Sequence, residues 1–244
     1  MKTIIVQNYE EMSRRLAEMV ADVVTCSAHP VLGLATGSTP LGAYKLLADY
    51  FAQKRLSFRH VSTVNLDEYV GLGAEDEQSY VSFMQRHLFN LVDVQPQNTH
   101  IPNGLAENLE EECLRYRELL QHNVQDLQIL GLGSNGHIGF NEPFTPFDQL
   151  THLVELSEST IFDNARFFDD VREVPTKAIT MGIAEIMRAK KIVVVASGIN
   201  KAQAVFNMLG TVSERCPASV LQTHPDCTLI VDKLAATLII DNKN

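Results

Sequence analysis

The stretch GLGSNGHIGFNEP, residues 131 to 143, places an imidazole, an amide and a carboxylate on one glycine-rich loop. Asn135 lies two residues before His137, and Glu142 lies five residues after it. A histidine with a carboxylate partner can take up and return a proton near neutral pH. A tight turn between a strand and a helix would explain the glycines, but it would not explain His137 and Glu142. We therefore interpret the loop as a candidate acid–base unit.

Two adjacent carboxylates, Asp67 and Glu68, directly follow a short apolar segment, in the sequence DEYVG. Adjacent residues on an extended chain point to opposite sides, so the two side chains need not share a task. A solvated acidic loop is the plainer interpretation. Ligands of parallel sheets, however, bind beyond the carboxyl ends of the strands. We therefore predict that one carboxylate faces a ligand cleft and the other its wall.

Residues 36 to 40, TGSTP, also follow an apolar segment and lead into a helix-like one. Glycine lets the backbone turn closely, the serine and threonine offer hydroxyls, and Pro40 fits the first turn of a helix. The unpaired amides and the positive dipole end of that helix would suit a phosphate, although an ordinary capped turn is the alternative. The predicted phosphate-binding residues here are Thr36, Gly37, Ser38 and Thr39.

Two cations could complete a phosphate site. Lys201 comes shortly after an apolar segment and at the start of a predicted helix, where a lysine is disfavoured by the helix dipole unless an anion binds. Arg166, in the sequence DNARFFDD, could bind a phosphate with two hydrogen bonds. Either residue alone would be interpreted as a surface charge. Together with TGSTP they form a coherent phosphate pocket.

The elements that must position these residues alternate along the chain. Continuously apolar strands separated by helices are typical of a parallel sheet covered on both faces. We predict strands at residues 3 to 6, 31 to 35, 61 to 66, 127 to 131, 192 to 196 and 228 to 231. We predict helices at residues 8 to 28, 41 to 53, 78 to 89, 107 to 122, 181 to 189 and 201 to 209. The expected fold is α/β and doubly wound, with a mostly parallel, Rossmann-like sheet that has helices on both faces.

One polar segment interrupts this alternation. Residues 143 to 176 contain three prolines and many polar side chains, and a long stretch of that kind is often a functional lid. We therefore expect one domain over residues 1 to 244, with a lid at about 143 to 176.

Composition narrows the function classes. The 244 residues include 45% apolar residues, enough for a substantial core, and the formal charge is −10. Such a charge disfavours non-specific binding to nucleic acid or an anionic membrane. The chain begins without the apolar core of a signal peptide and contains no run of membrane-spanning length, so we expect a cytoplasmic protein. The four cysteines lack metal-site or disulfide-framework spacing, and we predict no metal site.

Five segments, in this order, resemble the glucosamine-6-phosphate deaminase family, also called glucosamine-6-phosphate isomerases. The segments are LATGSTP, NLDEYVGL, GLGSNGHIGFNEP, ARFFDD and SGINKAQAV. The resemblance covers most of the chain. It implies an enzyme that converts glucosamine 6-phosphate and water into fructose 6-phosphate and ammonia, without a cofactor.

The resemblance also implies a role for each matching residue. Asp67 matches the base that moves the proton from carbon 2, and His137 matches the acid–base group that opens the sugar ring. Glu142 and Asn135 match its supporting partners, and some relatives carry Asp where this chain has Asn135. The amide has no negative charge, so His137 should depend mainly on Glu142. The groups expected to bind substrate are residues 36 to 39, Glu68, Arg166 and Lys201.

The same motifs leave two alternative functions open. A 6-phosphogluconolactonase-like hydrolase is the alternative among enzymes. A non-catalytic sugar-phosphate-sensing domain of a transcription regulator is the alternative among binding proteins. That regulator needs a DNA-binding segment, for which residues 1 and 2 leave no room before the first predicted strand.

Hexameric relatives hold an anionic effector partly with basic residues after the NEP loop, and residues 143 to 165 contain none. We therefore expect a monomer or small homo-oligomer.

Overall fold

The structure is a computed structural model that describes residues 1–165, 168 and 170–241, and the statements below concern that part of the chain. Arg166, predicted to bind phosphate, lies outside the described residues.

The described residues contain strands and helices in close alternation. The strands are β1 (Lys2–Val6), β2 (Val31–Leu34), β3 (Ser62–Asn65), β4 (Asp67–Tyr69), β5 (Thr99–His100), β6 (Leu127–Gly131), β7 (His152–Glu155), β8 (Lys177–Thr180), β9 (Ile192–Ala196) and β10 (Cys227–Asp232). The α-helices are α1 (Tyr9–Cys26), α2 (Leu41–Ala52), α3 (Tyr80–His87), α4 (Leu109–His122), α5 (Glu158–Asn164), α6 (Ile183–Ile186), α7 (Ala202–Met208) and α8 (Thr237–Asp241).

Seven strands form a parallel sheet in the order β1-β10-β9-β6-β2-β3-β5. Strand β9 is continuously apolar, as expected where both faces of a sheet are covered, and all five of its residues are buried. From β2 the chain proceeds outward to β3 and β5, whereas from β6 it proceeds the other way, to β9 and β10. The predicted doubly wound fold is therefore confirmed, with its topological switch point between β2 and β6, where ligands of such sheets bind.

A smaller antiparallel sheet, β4-β8-β7, was not predicted. Residues 67 to 69, interpreted above as a loop, form β4, in which all three residues are buried. Within the predicted lid, β7 alternates between half-buried and exposed residues, and α5 follows it. Strands β4 and β7 are too short and too polar to be predicted as apolar runs in the sequence. The lid role itself remains a prediction.

No helix among the described residues is long and apolar enough to cross a bilayer. In the same part of the chain, no group of three or more His, Cys, Asp or Glu side chains is arranged to hold a metal ion.

Candidate active site

A cavity of about 500 Å³ opens at the carboxyl ends of β2, β6 and β9. This volume lies in the range typical of small-molecule sites, roughly 300–1,000 Å³. Seven predicted site residues line it: Thr36, Gly37, Ser38, Thr39, Asp67, His137 and Lys201. The structure thus brings together residues from four separate segments of the sequence, at the switch point of the sheet.

Asp67 lies at the start of β4 with only 5% of its surface exposed. Its carboxylate lies beside Gly139, where an added Cβ would be 3.4 Å from Asp67 Oδ2. Burial, with a smaller effect from the neighbouring Glu68 carboxylate, raises the pKa of Asp67 to about 8. A base with a pKa near the working pH is the one best suited to accept and return a proton. Asp67 therefore has the environment of a proton-transferring base.

Glu68 is not among the described residues that line the cavity, and its role in substrate binding remains a prediction. Its carboxylate accepts hydrogen bonds from the backbone N–H groups of Tyr69 at 2.8 Å, Tyr80 at 2.9 Å and Val81 at 3.0 Å. It thereby binds the first turn of α3, whose N–H groups have no partner within the helix. Burial raises the pKa of Glu68 to about 7, although these three N–H donors favour its charged form.

The raised pKa of Asp67 predicts how Asp67→Asn changes stability with pH. Asp67 keeps its proton in the folded chain up to about pH 8, whereas in the unfolded chain it releases the proton at its ordinary pKa of 3.8. Stability therefore falls as the pH rises through this window, by up to about 1.4 kcal/mol per pH unit for one proton. Asparagine has no proton to release. The melting temperature of Asp67→Asn relative to the parent should increase between about pH 5 and about pH 8, and a constant difference would contradict the shift.

His137, Asn135 and Glu142 form a connected group on the loop after β6. Asn135 Nδ2 donates to Glu142 Oε2 at 2.7 Å, and Asn135 Oδ1 accepts from the His137 backbone N–H at 3.1 Å. His137 Nδ1 lies 3.8 Å from the same Glu142 oxygen, a distance of ion pairing rather than hydrogen bonding. A Cβ at Gly133 would overlap the His137 ring, so this glycine is required for the ring position. The carboxylate can therefore stabilise a protonated imidazole.

The second oxygen of Glu142 binds two hydroxyls that sequence reasoning missed. Ser157 Oγ donates to Glu142 Oε1 at 3.1 Å, and Thr160 Oγ1 makes a short hydrogen bond to the same oxygen. Thr160 also lines the cavity. Because Thr160 lies 18 positions from Glu142 and on an element that was not predicted, no local sequence signal indicated the contact.

The predicted phosphate-binding residues lie on two turns of the same cavity. Gly37 has a φ of 88°, in the region that favours glycine, and an added Cβ would meet nothing within 4 Å. Lys201 stands immediately before α7 and lines the cavity with residues 36 to 39. The turn that precedes it is held by Asp232, which accepts from Ser197 Oγ at 2.5 Å and from the Gly198 N–H at 3.0 Å.

An aromatic cluster that was not predicted forms another wall. Tyr69 and Tyr80 have ring centroids 4.8 Å apart, and Tyr80 stacks on Phe140 at 6.1 Å. Tyr69 also meets Phe168, and all four rings line the cavity. Tyr80 and Phe168 were not predicted, because neither directly follows a strand of the main sheet. These rings give the otherwise polar cavity an apolar surface for a carbon skeleton.

Comparisons with known proteins agree with this geometry. The family model described as glucosamine-6-phosphate isomerases/6-phosphogluconolactonase matches residues 7–230. The chain is 52% identical to a glucosamine-6-phosphate deaminase of Thermoanaerobacter pseudethanolicus, over 99% of this chain and 96% of the relative. It is 51% identical to a glucosamine-6-phosphate deaminase of Clostridium perfringens, over 98% of this chain and all of the relative, a 100% share.

Solved structures show the same relationship. A monomeric glucosamine-6-phosphate deaminase superimposes with a TM-score of 0.96 at 46% identity, covering 98% of this chain and 100% of that chain. A 6-phosphogluconolactonase from Trypanosoma brucei superimposes with a TM-score of 0.78 at 19% identity, covering 98% of each chain. The second likeness shows the fold alone.

Proposed function

The chain belongs to the family of glucosamine-6-phosphate isomerases and 6-phosphogluconolactonases, and we propose that it converts glucosamine 6-phosphate and water into fructose 6-phosphate and ammonia. The resemblance read from the five motifs is thereby confirmed. The observation that carries the proposal is the position of Asp67, a buried carboxylate of raised pKa on the wall of the cavity that His137 also lines. Hydrolysis of a lactone moves no proton between carbons, so it gives such a base no task.

The first step is the opening of the sugar ring, and we assign it to His137. Opening requires a proton to leave the hydroxyl on carbon 1 and a proton to reach the ring oxygen. An imidazole can do both near neutral pH. Glu142, 3.8 Å from the ring and held by Asn135, stabilises the protonated imidazole that exists between the two transfers.

The second step is the transfer of a proton between neighbouring carbons, which we assign to Asp67. The carboxylate takes the proton from carbon 2 of the open chain, and the electron pair released forms the double bond to carbon 1. The electron pair of the carbon 1 carbonyl moves onto its oxygen, which takes up a proton and becomes a hydroxyl; one proton returns to solvent when water later adds to the iminium. The carboxylic acid then returns its proton to carbon 1, which leaves an iminium at carbon 2. Water adds to the iminium, the amine leaves as ammonia, and the ketone of fructose 6-phosphate remains. The step needs no oxidant, reductant or other co-reactant.

Residues 36 to 39 and Lys201 have the task of holding the phosphate. The phosphate lies far from the reacting carbons, so its binding energy fixes their position over Asp67 and His137 without taking part in the chemistry. Arg166 remains a predicted phosphate-binding residue, in addition to Lys201 and residues 36 to 39. The aromatic rings of Tyr80 and Phe140 can pack against the carbon skeleton between the two ends.

The proposed function is tested by the release of ammonia from glucosamine 6-phosphate by the purified protein. Hydrolysis of 6-phosphogluconolactone, measured on the same preparation, tests the alternative activity. We also propose a monomer or small homo-oligomer, supported by the monomeric deaminase of 46% identity, and light scattering on that preparation measures it. Lactone hydrolysis without ammonia release would overturn the proposed reaction, and a stable hexamer would overturn the proposed assembly.

Substitution of Lys201 by alanine should act chiefly on substrate binding. Loss of one charge-assisted bond to a phosphate, worth about 1.5–3 kcal/mol, should lower kcat/KM by roughly 10- to 150-fold, mostly through KM. The measurement is a saturation curve for glucosamine 6-phosphate. Lys45→Ala is the matched control, because Lys45 is an exposed lysine of α2 that pairs with Asp49 and does not line the cavity. Equal curves for the two variants would remove Lys201 from the phosphate site.

A further inference from the structure

We propose that Thr160 is a positioning residue for the acid–base group, because its hydroxyl holds Glu142 in the orientation that presents the other carboxylate oxygen to His137. The inference rests on the proposed function, in which His137 opens the sugar ring. Thr160 acts through Glu142 and not on the reacting atoms.

The two oxygens of Glu142 have separate surroundings. Oε2 accepts from Asn135 and lies 3.8 Å from His137 Nδ1. Oε1 accepts from Thr160 and from Ser157. A carboxylate bound at only one oxygen can rotate about its last bond and move the other away from the imidazole. Donors on both oxygens fix the plane of the group, and therefore the distance to His137.

Of the two hydroxyls, Thr160 is the better-defined donor. Ser157 Oγ has three hydroxyl or carboxylate partners within reach, Glu142, Ser159 and Thr160, and one hydrogen to share among them. The Thr160 hydroxyl donates to Glu142, and Thr160 is only 2% exposed. Water therefore has little access to replace the Thr160 bond. The buried hydroxyl should contribute more than the half-buried one to the orientation of the carboxylate.

Because Thr160 belongs to α5, its hydrogen bond also links this helix to the loop after β6. Helix α5 lies within residues 143 to 176, the predicted lid, whereas Glu142 and His137 lie on the loop after β6. The orientation of the acid–base group thus depends on where α5 packs. Displacement of α5 would remove the Thr160 hydroxyl from Glu142.

The closing experiment compares Thr160→Val, Thr160→Ser and Ser159→Ala with the parent protein. Valine keeps the shape of threonine without the hydroxyl, so kcat should fall about ten-fold while KM changes by less than about two-fold, because one charge-assisted bond is lost away from the substrate. Serine restores the hydroxyl and should recover most of kcat. Ser159 is exposed and does not contact Glu142, so Ser159→Ala should behave like the parent. A purely structural role would lower the melting temperature instead and would not be rescued in kcat by serine.

A second measurement does not depend on activity. The pKa of His137, followed by NMR titration of its ring protons and assigned with His137→Gln, should be lower in Thr160→Val than in the parent, because the imidazolium loses a fixed carboxylate neighbour. The described carboxylates near this region are Glu142, 3.8 Å from His137 Nδ1, and two that line the same cavity, Asp67 and Glu77. The cations Arg86 and Lys201 also line it. An unchanged His137 pKa in Thr160→Val would overturn the proposal, and so would an unchanged kcat. A parent protein that releases no ammonia overturns the proposed function only, since the NMR result still decides the role of Thr160.

Discussion

Substitution of Asp67 by asparagine should reduce ammonia release by roughly a thousand-fold, within the range of about 10²–10⁴ that a positioned acid–base group contributes, while glucosamine 6-phosphate still binds. Asparagine has nearly the same shape but cannot accept a proton from carbon 2. Asp67 is buried on the wall of the cavity, and burial raises its pKa to about 8. Retention of rates close to the parent would falsify its role.

Isotope exchange separates the lost chemistry from a damaged fold. Solvent hydrogen should no longer enter carbon 1 of the product in Asp67→Asn, in parallel with the loss of ammonia release. Glu68→Gln is the contrast, because the adjacent carboxylate binds the N–H groups of Tyr80 and Val81 instead of lining the cavity. Any loss of activity in Glu68→Gln should accompany a lower melting temperature, and isotope exchange should persist. If Glu68→Gln abolished isotope exchange without a change in melting temperature, the proton transfer would belong to Glu68 and not to Asp67.

Substitution of His137 by glutamine should slow the reaction by roughly a hundred-fold or more, since the variant lacks the acid–base group for ring opening. Its proton-transferring base, Asp67, is intact, so it can still process sugar that opens spontaneously. The rate should therefore rise with enzyme concentration and then reach a plateau set by uncatalysed opening. The parent protein should show no such plateau over the same range. A rate proportional to the concentration of His137→Gln throughout would show that ring opening does not need this imidazole.

Six of the seven strands of the main sheet were predictable from the sequence because they are short apolar runs separated by helical periodicity, whereas β5, with only Thr99 and His100, was not predicted. The order of those strands was not, because the pairing of β2 with β6 depends on contacts between segments far apart in the chain. The small sheet was missed for another reason: β4 has three residues and β7 alternates between half-buried and exposed positions. Such strands form because β8 lies between them, so tertiary contacts and not local propensity determine them.

The candidate site was likewise predictable only in part. The loop carrying His137, Asn135 and Glu142 is contiguous in the sequence, so residue types and spacing were enough to indicate it. The distinction between Asp67 and Glu68 needed the register of β4, since neighbouring residues on a strand face opposite sides. Thr160 could not be predicted from the sequence, because its contact with Glu142 spans 18 positions and involves an unpredicted helix.

The switch point between β2 and β6 also determines when the protein becomes active during its own folding. Val31 N donates to Asp126 Oδ2 across 95 positions of the chain, and Lys201, which lines the cavity, follows strand β9, which pairs with β6. Pairings of such high contact order form slowly, because the entropy of closing a long loop is lost before the contacts form. A nascent chain can carry TGST and the His137 loop well before it carries a phosphate pocket. Catalysis is therefore a late reporter of folding, and on refolding it should return with the completed sheet and not with the first helices.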